Sequence, residues 1–491
     1  VEQDPSSLDT ILNTPYGWLL APLTQGYLFL VDEHGSLVPD CATAVPTREN
    51  GGISADGRTI VYRIRTGRWS DGAPFDAADV VFTVAALRNP ATNVPDRSTV
   101  DQIERIEAPL PDRLVVRLRR PSAPFVSSFL TLGADDPFAI LPRHVVAGLR
   151  DLNASSLDTH PVGLGPFRLA SWRRGERLEF VRNPFYWRGP AGLDRLVVVP
   201  DPDPETRFLQ ARTGDLDLTY LSGLEVDEAE RSGVRVIRAT TNIVDFLQFN
   251  IRRLPALRDA GVRRALVAAL DRSRIAATIF RGLEQPTDTG MLEPGLADAA
   301  SLPRYDPAAA RARLAGRVPP LDFAYAGKWR SSAAAALEIA AELGAAGVAT
   351  TLRSYPTNTF WGPKSAGGVL ESGHFDLALT SWSPSLDPDR SYLFGCAALP
   401  PAGGNAGGYC DPAYDAAEAR GAARYDPAGR LAAYRAAAQI LARDAPVAPI
   451  GFERSAYAIS ARFRNFEPGV LGRDYWNAWA WQNAASAATN R

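Results

Sequence analysis

Residues 67–83 read GRWSDGAPFDAADVVFT, and three local signals meet in them. Asp71-Gly72 is a turn dipeptide, Asp76 is a residue type that caps helices, and Val80, Val81, Val84 and Leu87 recur at the spacing of one buried helical face. Upstream, TIVYRIR at residues 59–65 places Ile60, Tyr62 and Ile64 on one side of a half-buried strand, after a turn at Asp56-Gly57. Downstream, residues 113–119 alternate again through Leu114, Val116 and Leu118. Strand, turn, helix and strand in that order predict one small mixed domain, with Trp69 filling its core beside the Asp71-Gly72 turn.

At Pro161 the texture changes. VGLGPFRLASW (162–172), LEFVRNPFYW (178–187) and LDRLVVVP (193–200) predict a second α/β unit, followed by a helix over 203–213. Gly163-Leu164-Gly165 lacks the third glycine of a dinucleotide fingerprint and reads as a turn. The run LVVVP is continuously apolar, as expected of a strand covered on both faces. From Phe246 the pattern turns more helical, with stripes through Val262, Leu266, Ala269 and Leu270, and through Ile275 and Ile279. Asp306-Pro307, Asp411-Pro412 and Asp426-Pro427 each place a capping carboxylate before a proline suited to the first helical position. The third of these helices should continue through Leu431, Tyr434, Ala438 and Leu441, while Phe375, Leu377 and Leu379 alternate as a strand that runs into Trp382. The small, polar residues from Ala484 onward are expected to fray.

A chain of 491 residues exceeds what one hydrophobic core organises, so several cores are expected. A formal net charge of -2 and the lack of a basic stripe point away from nucleic acid. No apolar run reaches the length of a membrane span; the alanine-rich stretch 331–349 carries Glu338 and Glu342 and reads as a soluble helix. The chain opens at Val1 with no leader pattern, as expected of a mature form whose signal segment has been removed.

Of the three cysteines, Cys396 and Cys410 stand fourteen positions apart around a turn-rich segment. A disulfide and two free buried thiols both fit that spacing; the disulfide would contribute on the order of 3 kcal/mol in an oxidising compartment. Cys41 reads as a small buried apolar residue. The four histidines, His34, His144, His160 and His374, show no metal-site spacing, and nucleophile, phosphate-loop and CxxC motifs are lacking. Enzymatic activity and a bound cofactor are therefore not expected, with a hydrolase as the remote alternative.

Taken in order, these segments resemble the dipeptide, oligopeptide and nickel class of periplasmic (extracellular) solute-binding proteins, family 5, which serve ABC importers. The resemblance is carried by residues 67–83, by PVGLGPFRLASW with RNPFYW, by FNIRRLPALRDAGVRRALVAALDRSRI, by FDLALTSW with DPDRSYLF, and by GGNAGGYCDPAYD. It spans nearly the whole chain. What it implies is an α/β, periplasmic-binding-protein-like type II, two-lobed fold with an additional α/β domain, the ligand lying between the lobes. Lobe I would combine residues 1–40, 163–245 and 456–491, the additional domain 41–162, and lobe II 246–455. The implied function is the extracytoplasmic substrate-binding component of an ABC importer, a monomer that delivers a peptide or peptide-like solute to permease subunits. Its implied location is periplasmic or extracellular, and a lipid anchor before Val1 stays open.

Residue by residue, the resemblance places Trp382 at the family's ligand-pocket tryptophan, with Ser383 beside it; plain core packing is the other reading of Trp382. Peptide-binding relatives hold the peptide's amino group with an aspartate three positions after that tryptophan, and here the position is Ser385. Some place an arginine three positions before it for the peptide carboxylate, and here it is Leu379. Asp387 follows closely in a shortened loop, either as a displaced anchor or as the start of a turn with Pro388. Gln25, Asn405 and Tyr409 are further pocket candidates, and Trp361 is a loop aromatic that would close over ligand or pack in a core. The missing charges leave room for a capped peptide, an amino-sugar or an opine-like cargo. Nickel or haem has less support, given the scattered histidines and the lone Met291.

Overall fold

The computed structural model describes residues 1–484, apart from 13, 15, 95, 288–300, 328–329 and 365–366. Met291 and the tail after Ala484 lie outside the described residues. The chain divides into two units: unit 1 takes Val1–Ala239, Ser385–Asp387 and Ser455–Arg491, and unit 2 takes Thr240–Pro384 and Pro388–Arg454.

Unit 1 contains helix α1 (Gly17–Thr24), strand β1 (Thr59–Arg63), helix α2 (Ala77–Arg88), and strands β2 (Ile103–Leu110) and β3 (Arg113–Leu118). It continues with β4 (Phe167–Arg173), β5 (Arg177–Arg182), β6 (Arg195–Val198) and β7 (Leu218–Tyr220). β1, β3 and β2 form an antiparallel sheet in that order, with Ile60 opposite Val116 and Tyr62 opposite Leu114, all buried. The predicted turn follows: Gly72 takes a φ of 93°, which a residue with a Cβ rarely adopts, and its N–H donates to the Trp69 carbonyl at 2.8 Å. Trp69 is buried edge-on to Phe75 at 5.6 Å. Asp76 then opens α2 through a capping box, accepting from the Ala78 N–H at 2.8 Å while its own N–H donates to the Asp79 carboxylate at 3.1 Å.

Val80, Val84 and Leu87 form the buried face of α2 as expected, but Val81 is only half-buried and Thr83 takes its place. Val81 is turned about 100° from Val80, beyond the edge of the face that Val84 and Leu87 define. A second correction concerns LVVVP. The sheet order is β6-β5-β4, so β6 is an edge strand, and Val197 is 42% exposed. An unbroken apolar run signals a strand; the number of layers covering it depends on where the strand sits in its sheet. The Gly163-Leu164-Gly165 turn packs on the end of α1: the Gly165 N–H donates to the Thr24 carbonyl at 2.9 Å, and a Cβ on Gly163 would lie 1.9 Å from that oxygen. One core of unit 1 joins Leu20, Leu23, Phe167, Leu178 and Phe180 to Phe463, Phe466 and Trp481 from the C-terminal segment.

Strand β8 (Val236–Phe249) carries the chain from unit 1 into unit 2. There follow α3 (Ala260–Ala268), β9 (Glu284–Pro286), α4 (Pro307–Leu314), β10 (Leu321–Ala326), α5 (Arg330–Ala345), β11 (Thr350–Tyr355) and β12 (Leu377–Trp382). Helices α6 (Pro412–Ala422) and α7 (Pro427–Asp444) come next, and β13 (Val447–Ile459) returns the chain to unit 1, where its last residues pair with β7. In unit 2 the strands are ordered β13-β8-β12-β10-β11, with β9 on β13; β12 runs antiparallel to β8 and parallel to β10. Leu266, Leu314, Ile339 and Leu343 from α3, α4 and α5 cover one face with Leu247, Phe323 and Leu377. On the other, Tyr414, Tyr434, Ala438 and Leu441 from α6 and α7 pack on Val244 and Phe246.

All three Asp-Pro starts are helix starts: Asp306, Asp411 and Asp426 each accept backbone N–H groups of the first turn. Leu431, however, is 39% exposed. The buried face of α7 runs through Ala433, Tyr434, Ala437, Ala438 and Leu441, and Leu431 lies at its margin. Cys396 and Cys410 form a disulfide, and Cys41 is a buried free thiol.

Candidate functional site

Strand β12 reads LALTSW, and its first four residues are buried before Ser381 and Trp382 emerge half-buried at its end. Leu379 points into the core beside Leu247 and Phe249. Alternate residues share a face, so Thr380 and Trp382 lie together on the side away from Leu379. Trp361 follows a short helical turn, Thr357–Phe360, and donates its indole N–H to the Thr380 hydroxyl at 3.1 Å. Phe360 meets it edge-on at 4.8 Å. Two indoles are thus gathered at one strand end: Trp361 fixed through Thr380, and Trp382 two residues further on.

Behind Trp382 lies a buried cation. The Arg390 guanidinium carbon is 5.3 Å from the Trp382 ring centroid, and Arg390 is wholly buried. Its backbone N–H donates to the Glu418 carboxyl at 3.2 Å. Burial first, and the charge of Asp389 second, push the Glu418 carboxyl well above the usual range. Val244, directly across from Trp382 on β8, completes the support.

After Trp382 the chain passes through Ser383 and Pro384, whose carbonyl accepts from the Asn242 amide at 3.1 Å. Ser385, Leu386 and Asp387 belong to unit 1. The Ser385 N–H donates to Asp135 Oδ1 at 2.9 Å, the Leu386 N–H to the Gly133 carbonyl at 3.1 Å, and the Ser385 hydroxyl to the Asp387 carbonyl at 3.3 Å. Ser385 is buried and Asp387 half-buried. The position that resembles an anchor is thus held from below by a carboxylate distant in sequence.

Asn405 and Tyr409 lie inside the disulfide loop, and both are buried. The Asn405 amide donates to the carbonyls of Gly395 (2.9 Å) and Tyr409 (2.7 Å) and accepts the Tyr409 N–H at 3.1 Å. The Tyr409 hydroxyl donates to Asp444 at 2.8 Å; burial, and then Asp444, raise its pKa. These polar contacts brace the loop. Tyr409 also joins the core on which Trp382 packs. Gln25, in unit 1, caps the C-terminus of α1, donating its N–H to the Ala21 carbonyl at 2.8 Å. Asp135 and the buried role of Arg390 escaped sequence reasoning: Asp135 lies 250 positions from its partner, and Arg390 stands within DPDRSYLF with nothing to mark it as buried.

Residues 36–399 match the model of a family described as bacterial extracellular solute-binding proteins, family 5 Middle. Di/tripeptide-binding protein 2 of Pseudomonas aeruginosa is 27% identical over 478 residues, covering 89% of this chain and 87% of that protein. Protein XP55 of Streptomyces lividans is 33% identical over 256 residues; the match takes in 51% of this chain and under half, 44%, of that protein. The oligopeptide-binding protein AppA of Bacillus subtilis, solved in complex with a nonapeptide, superposes with a TM-score of 0.86 at 18% identity, over 99% of this chain and 98% of AppA. That likeness shows the fold, α/β of the periplasmic-binding-protein-like type II class.

Proposed function

The chain belongs to the bacterial extracellular solute-binding proteins of family 5, and from that premise we propose that it captures a peptide or peptide-like solute and delivers it to the permease of an ABC importer. The observation that carries the reading is the end of β12. There a buried strand opens on a half-buried tryptophan backed by the buried Arg390, with a second indole pinned alongside. An aromatic wall with a few fixed polar groups suits a solute that must be held and then released. The relatives support a peptide: one is named for di- and tripeptides, the other was solved with a nonapeptide.

On this reading Trp361, Trp382, Ser383, Asp387 and Gln25 face the solute. Ser385 fixes the loop, and Asn405 with Tyr409 act from behind through the disulfide loop. Capture and release involve no bond-making step, so the chain works as a receptor, without a cofactor and as a monomer. Among the described residues no helix is long and apolar enough to cross a membrane. An extracytoplasmic location, with or without a lipid anchor upstream, follows from the family. Residues 41–162 form an additional domain in this scheme, a division supported by the separate sheet of β1, β2 and β3.

A second reading keeps the receptor and changes the cargo to an amino-sugar or opine-like compound. It is favoured by Leu379 in the core and the serine at 385, which leave the strand without the charged pair that a zwitterionic peptide would use. Thermal melts with free and N-acetylated peptides, amino sugars and opines separate the two. Ligand at a hundred times its dissociation constant stabilises by about 2.7 kcal/mol. Stabilisation by peptides alone supports the first reading, stabilisation by non-peptides alone the second, and none by any class would overturn both.

A further inference from the structure

Glu284 opens β9 and is 4% exposed, and its Oε2 is sealed from solvent with no hydrogen-bond donor to meet it among the described residues. The register sets Glu284 directly across from Glu453 on β13, a like-charged pairing that a ladder tolerates poorly. Its carboxyl passes over β13 at Gly451, where a Cβ would lie 2.7 Å from Glu284 Oε2, and hydrogen-bonds to the Asp245 carboxyl on β8. Two carboxyl groups can be joined in this way only when one of them carries a proton. Asp245 is half-buried, so the pair can exchange protons with water. The charges acting on Glu284 are those of Asp245 and Glu453, both negative. The arginines on the adjoining elements have other partners. On the helix Arg272–Thr278, which packs on β9, Arg272 gives its guanidinium to the carbonyls of Thr287, Pro449 and Pro303, and Arg274 pairs with Asp271, Glu338 and Glu342. On β13, Arg454 donates to Gln285 Oε1 at 3.1 Å; on β12, the residue across from Asp245 is the uncharged Ser381.

We propose that Asp245 and Glu284 form a proton-operated clamp: with both carboxyls uncharged β9, β13 and β8 are held as one seam, and charge on the pair loosens it. The proposal goes beyond the receptor reading and does not depend on it. Asp245, Glu284, Gly451 and Glu453 all lie in unit 2. Burial first, then the charges of Asp245 and Glu453, push the Glu284 carboxyl well above the usual range, so Glu284 is the donor of the shared proton. Close packing pushes Asp245 up to about 6, against the pull of the hydrogen bond from Glu284. The two titrate as a pair, with two protons in acid and one above about pH 6. Both hold protons that the unfolded chain has released, so the stabilisation is complete below about pH 4 and shrinks as pH rises, Asp245's share being gone above about 6. The rest of the seam is slight. β9 is three residues long, and its further printed-out ladder is the Arg454 N–H to the Leu283 carbonyl at 2.8 Å, while the Thr241 hydroxyl ties β8 to the Glu453 carbonyl at 2.9 Å. The charge also appears beside the candidate site, since Val244, next to Asp245, pairs with Trp382.

The test is amide hydrogen exchange of the whole chain at pH 5 and pH 7, corrected for the intrinsic pH dependence of exchange and read over residues 283–286 and 451–454. A carboxyl whose pKa drops from about 6 to about 3.9 when the seam opens makes opening roughly tenfold easier at pH 7 than at pH 5, and Glu284 adds to this. Protection of the seam should therefore fall by roughly tenfold or more between the two conditions. In the double variant Asp245→Asn/Glu284→Gln both side chains are uncharged at either pH and can still hydrogen-bond to each other. Its seam should be protected equally at pH 5 and pH 7. Equal protection of the wild-type seam at both values overturns the clamp, and so does a double variant that keeps the fall, which would place the titration on another group. Should the double variant fail to fold, each single variant removes one of the two titrating groups and should shrink the fall; a fall unchanged in both overturns the clamp.

Discussion

Replacing Cys396 and Cys410 with serine should lower stability without disturbing the solute site. The bridge closes a loop whose ends are fourteen positions apart, and a loop of that size restricts the unfolded chain by about 3 kcal/mol. In the folded state the same loop has other restraints. Asn405 binds the backbone at Gly395 and Tyr409, Tyr409 reaches Asp444, and the Cys396 N–H donates to Asp415 at 3.2 Å. The loss should therefore act through the unfolded chain and leave the native loop in place. For a unit the size of unit 2 each kcal/mol moves the melting temperature by roughly 2–4 °C, so the double variant should melt roughly 6–12 °C lower. Calorimetric melts of the oxidised protein, the protein in reductant and the double serine variant would read this directly, with ligand titration alongside. A shift under about 2 °C would refute the entropic argument. A shift of the expected size with solute affinity also lost would refute the claim that Asn405 and Tyr409 hold the loop unaided.

Gly163→Ala should destabilise by about 1–3 kcal/mol, read from the denaturant midpoint, because its Cβ would meet the Thr24 carbonyl, a backbone atom that cannot swing aside. Trp382→Ala should abolish ligand-induced stabilisation while costing the free protein about 2 kcal/mol, near half the loss for a fully buried tryptophan, since the ring is half-buried. Burial holds Asp9 and Asp474 near pKa 6, above the ordinary 3.8. Each keeps a proton in the folded chain that the unfolded chain has released, so their favourable contribution is complete below about pH 4 and lost as pH rises through 6. Asp474→Asn should flatten that decline by about 2–3 kcal/mol, measured as stability against pH between 4 and 7.

How far the fold was legible depended on whether a signal was local. Asp76, Asp306, Asp411 and Asp426 announce helices because capping is settled within four residues, and each caps as expected. The β6 run and Leu431 were misread because cover is supplied by elements far along the chain, and an apolar residue at an edge looks the same as one in the centre. At the candidate site the strand into Trp382 was readable from its alternation. The partner of Ser385 was not, since Asp135 is an ordinary loop aspartate until the fold brings it there.

The route of β13 bears on how the molecule is made. Its last residues pair with β7, more than two hundred positions earlier, and Phe463, Phe466 and Trp481 then enter the core built around Leu20, Phe167 and Phe180. Unit 1, which contains residue 1, is therefore finished only after residues 457–481 have been made. During synthesis it stays an open, incomplete core while unit 2 already holds all its strands. Such an order of assembly delays the closing of unit 1 until those residues are made. It also means that a nick or stop codon near residue 455 would damage unit 1, although its core residues Leu20, Phe167 and Phe180 lie hundreds of positions earlier.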